Sequence, residues 1–593
     1  MKLIKKYRKK FIYFIFLFLA LMAIYYLAKT ATGFKTSLIL GIFLLVGIIY
    51  VFIRFKDILV SLRDNYGELA LKLAREYIQR INSIFIGFYG LGFLLSVNVS
   101  ENLNYFPFNE FSFMTIALVR ALLEFILGFI FLILARLSFD RQKKFLNILY
   151  PLLAFTGFYL ILIGDTVFSL VPLFLIGFVS YLTREALIKD AFVFSIEEII
   201  IDSIFAGFWS FIYLKNIATD QPLENYPSLY KILFFAIFIG VMLLCLKLIL
   251  IYMKKDVLIS DEPDIGEFRD FVQKNTPTSS TTAGLGFLKD KYIYYYTDEN
   301  GEKLVAFLYQ IVNNKIIVMG EPFGNRAYLD EALSDFIERS FIKSLNPVFY
   351  EVGEKFTLNL HDYGFDFMKF GENALIDLDE FSLAGRKKSS LRNILNRFEK
   401  DGYKFEILDP PYNYDLLDRL EIISDKWLKG REEKGFSLGF FDRDYLNESR
   451  LGLVYDKEGD VTAFTNIMPN YDPDVMTIDL MRYDTDMNVN SMMDYLFLNL
   501  FLKAQEEGMK YFNLGMAPLA NVGKYKSAYL SERVAAFIYG HADSIYPFKG
   551  LRNYKSKYAS LWEPRYTCFG KGNLILSSLL AVFLADKKHN KDI

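Results

Sequence analysis

Residues 476–514 read MTIDLMRYDTDMNVNSMMDYLFLNLFLKAQEEGMKYFNL, and this stretch decides the fold. Met476 to Arg482 and Tyr511 to Leu514 read as strands, and Met492 to Glu507 between them reads as a helix of apolar period that stops at Gly508. Strand, helix and strand in that order make an α/β unit. Upstream, Leu453 to Tyr455 and Val461 to Met468 add two strands to the same round, which begins near Tyr403.

An earlier round precedes it. Tyr292 to Tyr296, Leu304 to Ile311 and Lys315 to Met319 read as strands, the last two joined at Asn313 and Asn314 as a hairpin. Helices are predicted at about Tyr328 to Ser344 and Arg386 to Lys400, with a strand at Pro347 to Val352 between them. Two α/β units in succession are therefore expected, at 257–402 and 403–570. No low-complexity or Pro-rich tract separates them, so they should pack closely.

Before Lys254, Lys255 and Asp256 the chain has a different character. The whole is 53% hydrophobic, too apolar for an ordinary soluble protein, yet 23% charged, and the apolar residues segregate toward the N-terminus. Spans are read at Phe11–Ala28, Ser37–Ile53, Ile84–Val99, Met114–Ala135, Leu146–Gly164, Thr166–Leu182, Ala191–Leu214 and Ile232–Met253. By the length criterion that is a multi-pass α-helical membrane domain over 1–256, with about eight helices. Lys and Arg fall in alternate loops: the N-terminal arm, the loop from Arg54 to Arg80, the one with Arg136, Arg141, Lys143 and Lys144, and the turn with Arg184 and Lys189. The loop Ser100 to Glu110 has none, so the N-terminus and the α/β half are both placed on the cytoplasmic side. Lys2 to Lys10 precedes an apolar run with no small-residue cleavage site, which reads as a first membrane helix rather than a signal peptide.

Ionisable side chains inside spans are functional candidates by default, and here they are Arg120 with Glu124 at i, i+4, and Glu197, Glu198 and Asp202. Neutralised pairs holding the bundle are the competing reading. The helix from Arg386 is amphipathic, with Leu391, Ile394, Leu395 and Phe398 on one stripe and Lys387, Lys388, Arg392, Arg397 and Lys400 mostly elsewhere. That basic face is either solvated or turned to lipid or tRNA phosphate. Two cysteines, Cys245 and Cys568, and three histidines, His361, His541 and His589, share no ligand spacing, so no metal site is expected. A net charge of -1 gives no whole-chain signal for nucleic acid.

A set of collinear motifs resembles one family. Gly371-Glu372-Asn373-Ala374, Asp379-Glu380-Phe381, Gly385-Arg386-Lys387 with Arg392, and Ile423-Ser424-Asp425 with Trp427 come first. Glu433 to Gly439, Ala463 to Met468, Asp479-Leu480-Met481-Arg482, Phe512 to Leu519, Gly550-Leu551-Arg552 and Trp562 to Tyr566 follow in order. Together they resemble the aminoacyl-phosphatidylglycerol synthase domain of the multiple peptide resistance factor (MprF) family, the phosphatidylglycerol lysyltransferases. The resemblance implies a tandem of acetyltransferase-like (GNAT) units, an aminoacyl-tRNA donor and phosphatidylglycerol as acceptor. It implies a bacterial cell-membrane enzyme that transfers an aminoacyl group, lysyl favoured, and so lowers surface charge and confers resistance to cationic antimicrobial peptides. It leaves room for a homo-oligomer. Members of the family carry about six more helices, including a flippase module, so part of that bundle is expected to be missing from this chain. A lipid translocator, and the same chemistry on a glycolipid or peptidoglycan precursor, stand as alternatives.

Coenzyme A members of the GNAT fold cradle pyrophosphate in a Gly-rich loop opening a helix. The corresponding junction here, Tyr483 to Ser491, has no glycine and two carboxylates, which makes coenzyme A a poor donor, and no cofactor is expected. Exchange of one ester for another needs positioning, deprotonation of the hydroxyl and oxyanion stabilisation. From the matched motifs, Asp479 would hold the substrate ammonium or take the acceptor proton, and Arg482 would bind phosphate or orient Asp479. Positions three apart on a regular strand face opposite ways, so the two converge only if the strand splays or bulges. The resemblance puts Arg552, Lys555 and Lys557 near the reaction centre, Lys557 on the oxyanion or leaving oxygen and Arg552 on phosphate. A solvated turn is the competing reading, strongest for Lys555. Asn513, Gly515 and Met516 end a strand facing the ester, with Arg386, Lys387, Arg392 and Arg565 as further substrate-binding candidates. Trp427, Trp562, Phe436 and Tyr566 read as core aromatics, and Glu433 and Glu563 as partners of nearby cations. No Ser-His-Asp or Cys-His set is present, which favours direct transfer. The run Leu574 to Leu584, within a C-terminal segment at 571–593, is too short to cross a bilayer and is expected to dock on the interface or on the α/β half.

Overall fold

The computed structural model describes residues 67–68, 71–94, 113–163, 170–193, 199–205, 257–275, 281–487, 489–541, 548–570 and 575–587, with isolated positions between 207 and 251. The chain separates into two compact units, the second comprising Val193–Ile201 and Val257–Ile593.

In the first unit the helices Phe113–Phe139, Phe145–Leu162 and Leu170–Leu182 fall on three expected spans. A fourth helix, 71–94, carries the start of the span expected at Ile84–Val99. Among the described residues, Phe145–Leu162 is the helix long and apolar enough to cross a membrane by the criteria of length and composition. The spans expected at Phe11–Ala28 and Ser37–Ile53 lie outside the described residues, as do part of Ala191–Leu214, which is helical at 199–205, and most of Ile232–Met253. Ile86, Phe131, Leu134, Leu149 and Ile176 meet in one apolar cluster. Gly90 and Gly128 let two helices touch backbone to backbone, since a Cβ on Gly90 would lie 2.8 Å from the Gly128 carbonyl oxygen. Glu124 is buried and accepts a hydrogen bond from the Tyr159 hydroxyl over 2.8 Å. The side chain of Arg120, its expected partner, and all of Glu197 and Glu198 lie outside the described residues; Asp202 is exposed on a helical stretch.

The second unit is α/β, built on one twelve-stranded sheet in the order β1-β2-β3-β5-β12-β6-β11-β10-β9-β8-β7, with β4 beside β2. The strands are β1 (Tyr292–Thr297), β2 (Lys303–Val312), β3 (Lys315–Met319), β4 (Phe323–Gly324), β5 (Asn346–Val352), β6 (Phe365–Asp377), β7 (Lys404–Leu408), β8 (Arg450–Tyr455), β9 (Val461–Ile467), β10 (Val475–Tyr483), β11 (Tyr511–Pro518) and β12 (Leu561–Gly570). The hairpin at Asn313 and Asn314 joins β2 to β3, and Asn313 takes the left-handed conformation that Asn tolerates well.

The two rounds repeat one plan. β2 and β3 pair antiparallel, the helix Leu329–Ile342 crosses over, and β5 returns parallel to β3. β9 and β10 pair antiparallel, the helix Met492–Glu506 crosses over, and β11 returns parallel to β10. The crossover helices bury Phe336 against Phe307 and Phe349, and Leu496, Leu500 and Phe501 against the second half of the sheet.

The periodicity reading missed four strands, the short β4 and β7 at the margins of the sheet and, of more consequence, β6 and β12 at its centre. β6 is the long central strand, but Gly371, Glu372 and Asn373 interrupt its apolar pattern; all three are buried, and Gly371 lets the Ala517 carbonyl of β11 approach within 2.6 Å of where a Cβ would stand. β12 contains Pro564, which cannot donate to a ladder, and its register shifts between Arg565 and Tyr566. It comes from the end of the chain and inserts between β5 and β6. The helix Ile575–Lys587 then docks on β2 and β3, burying Ala581, Val582 and Ala585, while Leu576, Leu580 and Phe583 on its other side stay exposed.

Candidate active site

The two parallel pairs differ in one respect, the place where the sheet opens. β3 and β5 stay paired from Lys315/Asn346 to Met319/Tyr350. β10 and β11 pair only at Val475/Tyr511, Met476/Phe512 and Thr477/Asn513, then part. Beyond that point β10 follows β9 with a shift between Ile478 and Met481, and β11 follows β6 with a shift between Asn513 and Met516. Each strand bulges where it leaves the other, a device that re-aims side chains. The bulges fall on Asp479 and on Gly515, two of the expected site residues.

Asp479 forms one wall. Its Oδ1 accepts the Gly439 backbone N–H over 2.9 Å, and its Oδ2 accepts the Tyr445 hydroxyl over 2.9 Å. Burial raises its pKa above the usual carboxylate value, while the Tyr445 and Gly439 hydrogen bonds and the charges of Lys291 and Arg482 pull it back. Two hydrogen bonds leave further lone pairs on a carboxylate for a substrate proton or ammonium.

Gly439 belongs to the loop Glu433–Phe441, which is held almost entirely by carboxylates. Asp290 accepts the Phe436 N–H over 2.6 Å, and Asp586 accepts both the Ser437 N–H (3.3 Å) and its hydroxyl (2.6 Å). Glu433 accepts the Phe441 N–H over 3.2 Å. Asp290 is itself fully buried in an ion pair with Lys291. Phe436, in a left-handed backbone conformation, plugs the core between these anchors.

Arg482 is buried and grips this loop. It makes a bidentate pair with Glu433 at 2.8 Å on both nitrogens, bonds to Ser424, and lies over the Trp427 ring at 5.3 Å. Asp479 and Arg482 therefore both turn inward, as the bulge permits, but they do not bond to each other. Arg482 reaches Asp479 through Glu433 and the loop that carries Gly439. A fixed bidentate geometry of this kind is what the guanidinium fork provides and an ammonium does not.

The β11 wall carries Asn513, Gly515 and Met516. Asn513 is buried, its Oδ1 accepting the Gly515 N–H over 2.9 Å, and Gly515 adopts a positive φ of 77°. Lys555 donates to the Met516 carbonyl over 2.8 Å from a buried position at the end of the helix Phe548–Lys555. Burial drives its ammonium down to about 8, against the pull of Glu351. The solvated turn weighed for Lys555 is thus corrected: its alkyl chain and charge go inward because the helix ends against β11. Lys557 takes the exposed place, 3.4 Å from Asp494 and over the Tyr554 ring.

Glu351 and Asp586 complete an ionisable seam with Lys555 and Arg565. Burial lifts Glu351 to about 7, with Arg565 and Lys555 pulling it down and Asp586 pushing it up. Burial lifts Asp586 to about 6 despite its bonds to Ser437. Glu351 holds a left-handed φ of 63°, uncommon for a residue of its kind. Clustered perturbed groups beside the parting of β10 and β11 are what a reaction centre needs.

Other expected residues stand apart from this seam. Arg552 pairs with Glu372 at 3.2 Å and lies over Trp562 at 4.6 Å. Burial opposes the charge on Glu372, but bonds from Lys369, Asn521 and Arg552 hold it below its usual range. Arg565, which does belong to the seam, also pairs with Glu563 at 3.0 Å, so both glutamates expected to meet cations do so. Arg392 ties the turn before its helix through the Leu383 and Gly385 carbonyls. Arg386 is exposed, and the side chain of Lys387 lies outside the described residues. At the Tyr483 to Ser491 junction, Asp484 is engaged by Arg419 at 3.3 Å and by Lys426 at 3.0 Å. Among the described residues no His, Cys, Asp and Glu cluster offers a metal site.

Sequence reading missed Tyr445, Asp290, Glu351 and Asp586. Only the glycines flanking Phe436-Ser437-Leu438 hinted at them: a Cβ on Gly435 would fall 2.9 Å from Asp290, and one on Gly439 would overlap Asp479.

The family model described as "Phosphatidylglycerol lysyltransferase, C-terminal" matches residues 272–569. A phosphatidylglycerol lysyltransferase of Bacillus subtilis (strain 168) is 37% identical over 342 residues, covering 58% of this chain and 39% of that protein. One from Staphylococcus aureus (strain COL) is 36% identical over 288 residues, covering 49% of this chain and 34% of its own length. The chain spans less than half the length of these curated relatives. The structure of L-PGS from Bacillus licheniformis is similar at 34% identity and a TM-score of 0.49, covering 56% of this chain and 99% of that one. The C-terminal domain of a putative lysylphosphatidylglycerol synthetase from Agrobacterium fabrum follows at 31% and 0.46, covering 54% and 96%.

Proposed function

The chain belongs to the phosphatidylglycerol lysyltransferase C-terminal family, and from that premise we propose that it transfers an aminoacyl group, lysyl favoured, from aminoacyl-tRNA to a glycerol hydroxyl of phosphatidylglycerol. The observation that carries the reading is the parting of β10 and β11 between Asp479 and the Lys555–Met516 bond. The acceptor hydroxyl attacks the carbonyl carbon of the tRNA ester, its proton passing to Asp479. Lys555, with one of its three N–H groups on Met516 and two left to donate, stabilises the oxyanion and gives a proton to the departing ribose oxygen. One ester forms and one breaks, so no energy source enters. Carboxylates in the seam, Glu351 and Asp586, suit a cationic aminoacyl side chain.

The two repeated rounds support tandem acetyltransferase-like units, the second of them catalytic. The donor is aminoacyl-tRNA and not coenzyme A, because the Asp484 and Asp486 carboxylates occupy the strand-to-helix junction that would face pyrophosphate. The first unit is a multi-pass anchor in a bacterial cell membrane, with the α/β half cytoplasmic; the alternation of Lys and Arg among its loops supports this. The cationic lipid formed would lower negative surface charge and weaken binding of cationic antimicrobial peptides.

The test is expression in a host without aminoacylated lipids, followed by lipid mass spectrometry and RNase treatment of the lysate reaction. A new aminoacyl-phosphatidylglycerol that disappears with RNase is the expected result. No new lipid would overturn the reading, and product that survives RNase would remove tRNA as donor.

A further inference from the structure

The segment after β11 is anchored at both ends and turned outward between. Ala520 and Val522 are buried, the Asn521 side-chain amide donates to Glu372 over 2.6 Å, and Ala535 packs into the core. Gly523, at a φ of 62°, lies so close to the Glu532 carbonyl that no side chain fits there, which closes the loop at its base. Between these anchors the chain presents Tyr525, Tyr529 and Leu530 at 76%, 81% and 73% exposure, and Phe537 at 63%. Leu530, Arg533 and Phe537 share the outer face of the helix Leu530–His541, opposite Ala535. Lys524 and Lys526 flank Tyr525, and Glu532 is the acidic residue of the stretch 524–537.

Single exposed apolar side chains are ordinary on a protein surface, but a run of four beside three cations is not. Apolar and tyrosyl groups with lysine and arginine at their margins match the boundary between acyl chains and anionic headgroups. Leu530, with neither a ring to stack on a base nor a charge for a phosphate, suits an acyl boundary and favours lipid over RNA.

We propose that Lys524–Phe537 is a docking surface for anionic phospholipid, seating Tyr525, Tyr529 and Leu530 at the acyl boundary so that the acceptor lipid is delivered beside Met516 and Lys555. This rests on the lipid-aminoacylation reading above. The surface emerges from the same strand, β11, that carries the site wall, so a headgroup reaching Gly515 and a bilayer touching Tyr525 are served by one short stretch of chain.

The test uses the full chain reconstituted in vesicles. Tyr529→Trp is compared with the wild type for fluorescence quenching by brominated phosphatidylglycerol and by brominated phosphatidylcholine in vesicles free of anionic lipid. The expected result is quenching beyond the wild-type level with the anionic lipid, much reduced with the neutral one and at high salt; equal quenching of variant and wild type would overturn the proposal. In turnover, Tyr525→Ser/Tyr529→Ser/Leu530→Ser is expected to raise KM for phosphatidylglycerol in bilayers by about tenfold or more. Lys524→Gln, Lys526→Gln and Arg533→Gln should each raise it by about fivefold. KM for aminoacyl-tRNA and turnover of short-chain, dispersed phosphatidylglycerol should stay unchanged. A rise in KM for aminoacyl-tRNA instead would identify an RNA face, and equal loss on short-chain lipid would identify a merely supporting segment; either overturns the proposal. Quenching is read without turnover, so a wild type that makes no aminoacyl lipid but passes the quenching test fails the functional reading alone.

Discussion

Gly439 and Asp479 are in such close contact that the glycine's own N–H donates to Oδ1 over 2.9 Å while a Cβ in its place would overlap the carboxylate. The loop and the strand are therefore fitted to each other at the one point where the proposed base is aimed.

Gly439→Ala should displace Asp479 and reduce aminoacyl-lipid formation by about a hundredfold, the order expected for a misplacement near 1 Å. The overpacking should cost only about 1–3 kcal/mol, so the protein should still be recovered folded. Turnover near the wild-type rate would show that the contact does not set the position of Asp479.

Asp479→Asn preserves shape and the Gly439 bond but removes the proton acceptor, and a loss of about 10²–10⁴ in kcat is expected. Tyr445→Phe removes one of the two hydrogen bonds that hold the carboxylate, which should cost about tenfold. Because the Tyr445 bond lowers the Asp479 pKa, its removal should move the acid limb of the pH–rate profile to higher pH. A limb that stays in place would exclude Asp479 as the titrating group.

Arg482→Ala leaves Glu433 unpaired beside a buried cavity and should destabilise by about 3 kcal/mol, read as a fall in melting temperature of the detergent-solubilised chain. Arg482→Lys should not restore it, since the bidentate geometry is lost. If melting were unchanged and only KM for aminoacyl-tRNA rose, Arg482 would be a phosphate ligand.

Lys555→Met should abolish transfer, whereas Lys557→Ala should stay within about threefold of wild type, as befits an exposed pair worth at most about 1 kcal/mol. The reverse order, measured as initial rates of lipid aminoacylation, would return the leading role to Lys557.

Glu351 titrates near 7 in the folded protein against a usual 4.5, burial being the main cause. Between those values the native state holds a proton that the unfolded chain has released, so this group's contribution to stability is present below pH 4.5 and lost as pH rises to about 7. Glu351→Gln should flatten the decline in melting temperature across that window. The decline should not vanish, because Asp586, raised to about 6, acts in the same direction. An unchanged slope would mean that Glu351 titrates at its ordinary value.

Periodicity served well where an element has one clear face. The helices Leu329–Ile342 and Met492–Glu506 and the strands β2, β3 and β10 were all legible, because each either buries a stripe or runs apolar throughout. It failed at β6 and β12, whose buried Glu372, Asn373 and Thr567 look like surface residues until their partners across the sheet are known. The site divides in the same way. Asp479, Asn513 and Gly515 lie on local motifs next to strand ends, and a motif can mark them. Glu351 and Asp586 come from a strand and a helix separated by most of the α/β half, and nothing local distinguishes them from solvent-facing acids. Arg482 was found, but its partner Glu433 could be paired with it only in three dimensions.

The insertion of β12 between β5 and β6 also has a consequence in time. A chain emerging from the ribosome makes β5 and β6 early, yet the gap between them stays open until residues 561–570 have been synthesised. Until then both flanking strands expose unsatisfied edges, which are templates for pairing with other chains. The nascent protein therefore needs protection of that slot throughout synthesis of the whole second round, and a message truncated shortly before codon 561 should yield an aggregating product and not a smaller folded one.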